Sequence, residues 1–186
     1  MKNDKEKVRR RARRLWIGFA FLFSFIMTAL LSILSGETLE DLPVWAALIV
    51  LLLFVLLGIL FDVFGLAVAT AEMSAFNAMA AKKDPAGKKA VWLITNAEKV
   101  ASFCNDIVGD ICGVVSGASA ASIAAVLFSE LSAAAAFWLT LAMTSMVASV
   151  TVGGKALGKR IAMEKSREIT HFCARVLCVF GRKKKS

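Results

Sequence analysis

Charge in this chain is confined to blocks, and between the blocks lie stretches of about twenty residues that carry almost none. The first, LWIGFAFLFSFIMTALLSIL from Leu15 to Leu34, has no ionisable side chain. At about 1.5 Å per helical residue it reaches the roughly 30 Å needed to cross the hydrocarbon of a bilayer. A second run begins after Pro43, a residue suited to a first helical turn. It continues from Val44 to about Ala71, with Asp62 in its last third. Two more runs, from about Ile107 to Phe128 and from about Ser132 to Val152, are separated by Glu130. With 58% hydrophobic residues and a mean hydropathy of +0.69, the 186-residue chain is too apolar for an ordinary soluble domain, which averages about 45–50%. A soluble enzyme, a disulfide mini-protein and a disordered tail are excluded on that ground. The first run is too long for a signal peptide and leads straight into a second span, so it reads as a retained helix.

The intervening blocks set the expected orientation. Residues 1–14 hold eight Lys and Arg, the central segment five and the C-terminal segment ten, which is all 23. The two opposite loops hold only Glu37, Glu40, Asp41 and Glu130. By the bias of basic residues towards the cytoplasm, the chain reads as an all-α integral membrane protein of the cell membrane. It has four transmembrane helices, interfacial amphipathic helices and both termini cytoplasmic. The organisation expected is a basic segment at 1–14, a first span at 15–34, a membrane unit at 44–180 and a basic tail at 181–186. Within that unit the spans fall at about 44–71, 107–128 and 132–152, and interfacial helices at about 72–103 and 155–180. The first interfacial pair is expected to join at Asp84-Pro85. The basic runs are placed to meet anionic lipid head groups rather than nucleic acid.

Few motifs carry chemistry. Cys104, Cys112, Cys173 and Cys178 lie eight, sixty-one and five residues apart, a pattern that makes neither a zinc site nor a disulfide framework. Gly153 to Lys159 fits G-x-x-x-x-G-K, but Arg160 stands where a phosphate loop needs Ser or Thr, and no strand precedes it. No nucleophile–base constellation is present, so the chain is not expected to be an enzyme. Gly109, Gly113 and Gly117 recur every four residues, the pattern of close helix packing in lipid, and suggest a homodimer seam. Asp106 and Asp110 share one helical face. Asp62 is flanked by Gly58 and Gly65. Acids deep in a span are costly unless they are paired or line an ion path, whereas at the interface the cost nearly vanishes. Both placements are compatible with the spacing. Carboxylates of Asp62, Asp106 and Asp110, the Asn105 amide and the Ser116 hydroxyl form an oxygen-only set suited to a hard cation such as magnesium.

Three strings carry a family resemblance. Leu60-Phe61-Asp62-Val63-Phe64-Gly65-Leu66-Ala67 stands where the membrane domain of the CorB/cyclin-M magnesium transporters has a pattern like F-F-S-G-x-E-x-A. Cys104-Asn105-Asp106-Ile107-Val108-Gly109-Asp110 occupies the region of a pattern like G-N-x-L-V-N. Gly154 to Ala162 matches a pattern like G-E-I-x-P-K-x-x-A at Gly154, Lys159 and Ala162. From about Val44 to Phe180 the chain resembles short bacterial CorB-like membrane proteins without the paired nucleotide-binding modules. The resemblance implies a divalent-cation, magnesium-type transporter whose ion path is lined by Asp62, Asn105, Asp106 and Asp110. The departures fall on ligand positions: Asp62 replaces a Ser, Gly65 a Glu, and Lys155 a second Glu. Lys155 can take the place of the ion, and the rival expectation is a non-transporting membrane scaffold or regulatory partner that kept the fold and lost the site.

Overall fold

A computed structural model describes residues 15–33 and 43–182; the basic segment 1–14, the acidic loop 34–42 and the tail beyond 182 lie outside the described residues. Among the described residues there is no strand. Helix α1 spans Leu15–Ile33, α2 Val44–Thr70, α3 Met73–Ala81 and α4 Pro85–Thr95. Helix α5 (Ala97–Ser102) runs through a π-helical segment (Phe103–Gly109) into α6 (Asp110–Leu127), and α7 (Ala133–Glu164) and α8 (Ser166–Arg182) follow. Four of these rods are long and apolar enough to cross a membrane: α1, α2, the continuous α5–π–α6 rod and α7.

Helix α2 is the axis of the bundle. Its first half offers Ala47, Leu51 and Val55, spaced at one helical turn, to Ala120 and Ile123 of α6, and Met143 and Val147 of α7 close the cluster. Helix α1 packs on the other side of the third rod, where Ala20, Phe23, Met27 and Leu31 meet Ile107, Ile111 and Val115. The large side chains left outside, among them Leu52, Leu53, Leu56, Phe137 and Trp138, are explained if their solvent is hydrocarbon rather than water. At the far end of α2, a further cluster of Val68, Phe76, Ala90, Leu93 and Ala174 gathers α3, α4 and α8.

The α3–α4 hairpin turns where the Asp84-Pro85 pair suggests. Lys83 takes a positive φ of 61°, Asp84 Oδ1 accepts from Ala86 N at 3.0 Å, and Pro85 occupies the first turn, where its missing N–H costs nothing. Gly87 lets the two helices touch at backbone level: a Cβ there would stand 2.8 Å from Ala80 N and from the Met79 carbonyl carbon.

Two boundaries differ from the sequence-based expectation. The third rod starts at Ala97 rather than about Ile107, because the polar residues before the apolar run continue its helix instead of leaving it. Helix α7 does not break near Val152 but runs unbroken to Glu164. Glycine weakens a helix interior by about 1 kcal/mol each, yet Gly153 and Gly154 stay helical. Packing decides here: a Cβ on Gly154 would overlap Ile59, and one on Gly158 would lie 2.6 Å from Val63 Cγ2. Helices α2 and α7 therefore cross closely at Gly154 and Gly158, where an added Cβ would have to push the Ile59 and Val63 side chains aside, and G-x-x-x-x-G-K is a helical surface, not a phosphate loop.

Candidate functional site

Asp62 sits on the face of α2 that carries no side-chain bulk. Gly58 lies four residues before it and Gly65 three residues after, so the three share one stripe. A Cβ on Gly58 would stand 3.0 Å from Cys112 Cβ and 3.6 Å from the Gly109 carbonyl oxygen. A Cβ on Gly65 would overlap the Asn105 carboxamide and approach Cys104 Cβ to 3.0 Å. These approaches bring the α2 backbone against the third rod from Cys104 to Cys112, with Asp62 between them.

Eighteen residues into α2, Asp62 lies about 27 Å along the helix. Depth alone would let it face interfacial water, but the side chain belongs to a residue only 5% exposed. Its Oδ2 is buried without a hydrogen-bond partner, and so is Asn105 Oδ1 on the facing rod. Two acceptors without a donor, on surfaces packed against each other, are an unusual expense, about 1–3 kcal/mol each and more for a charged group. A positive partner, a proton or a metal ion, removes it.

The remaining sequence candidates are placed differently. Asp106 is exposed, and its Oδ2 accepts from Ser102 Oγ at 2.7 Å. Asp110, with a side chain 72% exposed, lies 3.8 Å from Lys155 Nζ. Ser116 is buried but donates to Gly113 O of its own helix at 3.0 Å. The structure thus brings Asp62 and Asn105 to one packed surface, leaves Asp106 and Asp110 on the outer side of the third rod, and turns the Ser116 hydroxyl inward to its own backbone. Among the described residues no three His, Cys, Asp or Glu side chains form a metal-binding group. A hard cation would instead meet one carboxylate and one amide oxygen and keep several waters, which is within the habit of magnesium.

Lys155 enters from α7. Its Nζ donates to the Gly109 carbonyl oxygen at 3.3 Å and stays 79% covered by its neighbours, with a side-chain exposure of 21%. It reaches the α2–α7–π crossing at the level of Gly58, one turn of α2 from Asp62, but makes no ion pair with Asp62.

Sequence reasoning missed the π-helical turn itself. One residue more per turn widens the rod, and such turns recur at functional sites; this one holds Asn105 and Asp106 and ends at Gly109. It also passed over Ser119, buried with a partnerless Oγ one turn beyond Ser116. Its spacing from Ser116 on a small-residue span was the available signal. The fold and these side chains define an α-helical protein with four helices able to span a membrane. Comparison with protein-family models, curated proteins and solved structures finds no match to the chain.

Proposed function

We propose that this chain is a multi-pass membrane protein that carries a hard divalent cation of the magnesium type, with Asp62 and Asn105 as its buried oxygens. One observation carries the reading: a carboxylate oxygen inside the helical bundle with no donor, three residues from Gly65, against which the likewise partnerless Asn105 carboxamide packs. Asp106 and Asp110, exposed at the start of the third rod, would draw the ion towards that pair. The resemblance to the CorB/cyclin-M membrane domain around Phe61-Asp62 and Asn105 agrees in kind, and the cation is cargo rather than a resident cofactor. In this reading both termini and the α3–α4 hairpin lie on the cytoplasmic side, which the bias of basic residues towards the cytoplasm favours. There α3, α4 and the amphipathic α8 lie along the interface, with basic residues towards anionic head groups. A homodimer forms through α6 at Gly113 and Gly117, where nothing stands within 4 Å of an added Cβ; Gly109, the first of the stripe, packs within the chain near Gly58 O and Lys155 Nζ.

Lys155 favours the second reading, a scaffold or regulatory partner without transport. Its ammonium already sits one turn from Asp62, where a cation would pass. Purified protein in liposomes loaded with a magnesium-sensitive dye separates the two. The transporter gives an inward magnesium signal that Asp62→Asn abolishes. No flux of magnesium, calcium or manganese leaves the scaffold.

A further inference from the structure

Along the α4–α5–π arm, Trp92, Asn96, Lys99, Val100 and Phe103 line an open groove of about 290 Å³, and Val100 at its floor also packs on the core cluster of α3, α4 and α8. The residues recur at helical spacing, so the groove is one continuous stripe along the arm, and Lys88 and Lys89 extend it by a turn. Lys89 Nζ stands 6.0 Å from the Trp92 ring centroid. No acid lines the groove. The nearest carboxylate further along the rod, Asp106, is engaged by Ser102 Oγ, and Lys99 is in no ion pair among the described residues. Asn96 Nδ2 is already donated to Trp92 O at 2.9 Å, which leaves the Lys99 ammonium to meet a ligand.

With α1 and the third rod placed across a bilayer as proposed above, the groove is graded in polarity along their length. The Phe103 ring lies tilted against that of Phe23 of α1, with centroids 6.5 Å apart, and Phe23 is eight residues and so about 12 Å from the start of that span. Lys99 lies one turn nearer the basic side, and Trp92 nearer still, at the level such residues favour. A cation above, aromatic and aliphatic side chains below, and an opening along one side fit one ligand chemistry. We propose that this groove binds the head group and upper acyl chain of an anionic phospholipid, its phosphate on Lys99 and its chain against Val100 and Phe103. A zwitterionic choline lipid is disfavoured, because Lys89 already stands beside Trp92 where the quaternary ammonium would go. The chain's own segment 1–14 is excluded as occupant by its eight basic residues. This reading is independent of cation transport at Asp62.

The test uses full-length protein with Trp16, Trp45 and Trp138 changed to Phe, reconstituted in vesicles of phosphatidylcholine doped with brominated lipid. Brominated phosphatidylglycerol should quench Trp92 at several-fold lower mole fraction than brominated phosphatidylcholine. One basic residue near the surface is worth about a fivefold preference, so Lys99→Gln should reduce the selectivity by about that factor. Lys82→Gln, on the same arm but outside the groove, should leave it unchanged. Native mass spectrometry of the unmodified chain gives a second readout, as a retained phosphatidylglycerol lost in Lys99→Gln. Equal quenching by the two lipids, or an equal loss in Lys82→Gln, means only a diffuse surface potential and overturns the proposal. Relief of quenching by millimolar glycerol 1-phosphate overturns it in favour of a soluble phosphate ligand. Absence of quenching by either lipid overturns it in favour of a groove covered by a second copy of the chain.

Discussion

Replacing Asp62 by Asn separates its role in folding from its role in binding. The carboxylate and the carboxamide have nearly the same shape, so packing against the glycine stripe is kept. The negative charge goes, and a donor appears on a surface where Asn105 Oδ1 has none. A buried partnerless acceptor costs about 1–3 kcal/mol, and for a chain of this size each kcal/mol moves Tm by roughly 2–4 °C. In metal-free detergent Asp62→Asn should therefore melt roughly 2–12 °C above the unmodified protein. Magnesium should reverse the order of response. At about ten times its Kd, a ligand bound only by the folded state adds about 1.4 kcal/mol, a rise of roughly 3–6 °C that the unmodified protein shows and Asp62→Asn does not. Asp106→Asn serves as control, since an exposed site moves stability by no more than about 0.5 kcal/mol. Differential scanning fluorimetry of the three proteins, each with chelator and with magnesium, reads all of these conditions. A lower Tm for Asp62→Asn without metal would refute the reasoning, because the carboxylate would then be making a stabilising contact. So would a magnesium response that survives the substitution.

The other expectations rest on separate observations. Gly65→Ala forces a Cβ into the Asn105 carboxamide; overpacking of this kind costs about 1–3 kcal/mol, so Tm should fall and the magnesium response weaken, whereas an unchanged Tm means that Asn105 moves freely. Gly113→Leu meets open space within one chain, so native mass in detergent should fall from dimer to monomer without loss of helicity; an unchanged mass removes α6 as the seam. A cysteine at Gly36 should be labelled by impermeant maleimide from outside intact cells and one at Lys82 should not, the reverse ending the cytoplasmic assignment. Burial raises the pKa of the Cys173 thiol on α8 above its ordinary value, the backbone hydrogen bond to it opposing only in part. Its alkylation should thus lag at neutral pH and climb above the usual thiol range. The linked stability is complete below the unfolded thiol pKa and is lost as pH rises through the folded one; a Cys173 labelled at neutral pH as fast as a free thiol removes this link.

The spans were legible because hydropathy over twenty residues is a strong signal that neighbours do not alter. Leu15–Leu34 and the run after Pro43 needed no tertiary information, and the Asp84-Pro85 turn follows from local chemistry alone. The end of α7 was not legible. Gly153-Gly154 reads as a break in any local sense, and it takes the packing of Ile59 on Gly154 and of Val63 on Gly158, about ninety-five residues away in sequence, to show the helix held against α2. The candidate site was legible in part for the same reason. Asp62 with its flanking glycines announces a close approach, but the π-helical turn that sets Asn105 against Gly65 has no pattern in the apolar periodicity. The i, i+4 spacing of Asp106 and Asp110 does put them on one side, yet spacing cannot tell which side faces the bundle. They face outward.

The glycine stripe and the π-helical turn explain each other. Side chains at positions 58 and 65 would hold α2 away from the third rod, and the sub-ångström freedom of a packed interface would not make room for them. With glycine at both, the two backbones close on Asp62 and exclude the neighbours that ordinarily solvate a carboxylate. Packing alone would be served better by an apolar residue at 62, since an apolar side chain there leaves no partnerless oxygen. Lys155 sharpens the point: an ammonium that could neutralise Asp62 is one turn away and instead bonds the Gly109 carbonyl oxygen at 3.3 Å and pairs loosely with Asp110 at 3.8 Å. The bundle therefore keeps a cation beside the acid without joining the two. That arrangement leaves the carboxylate without a fixed positive partner, which is what the proposed carrier of cations requires.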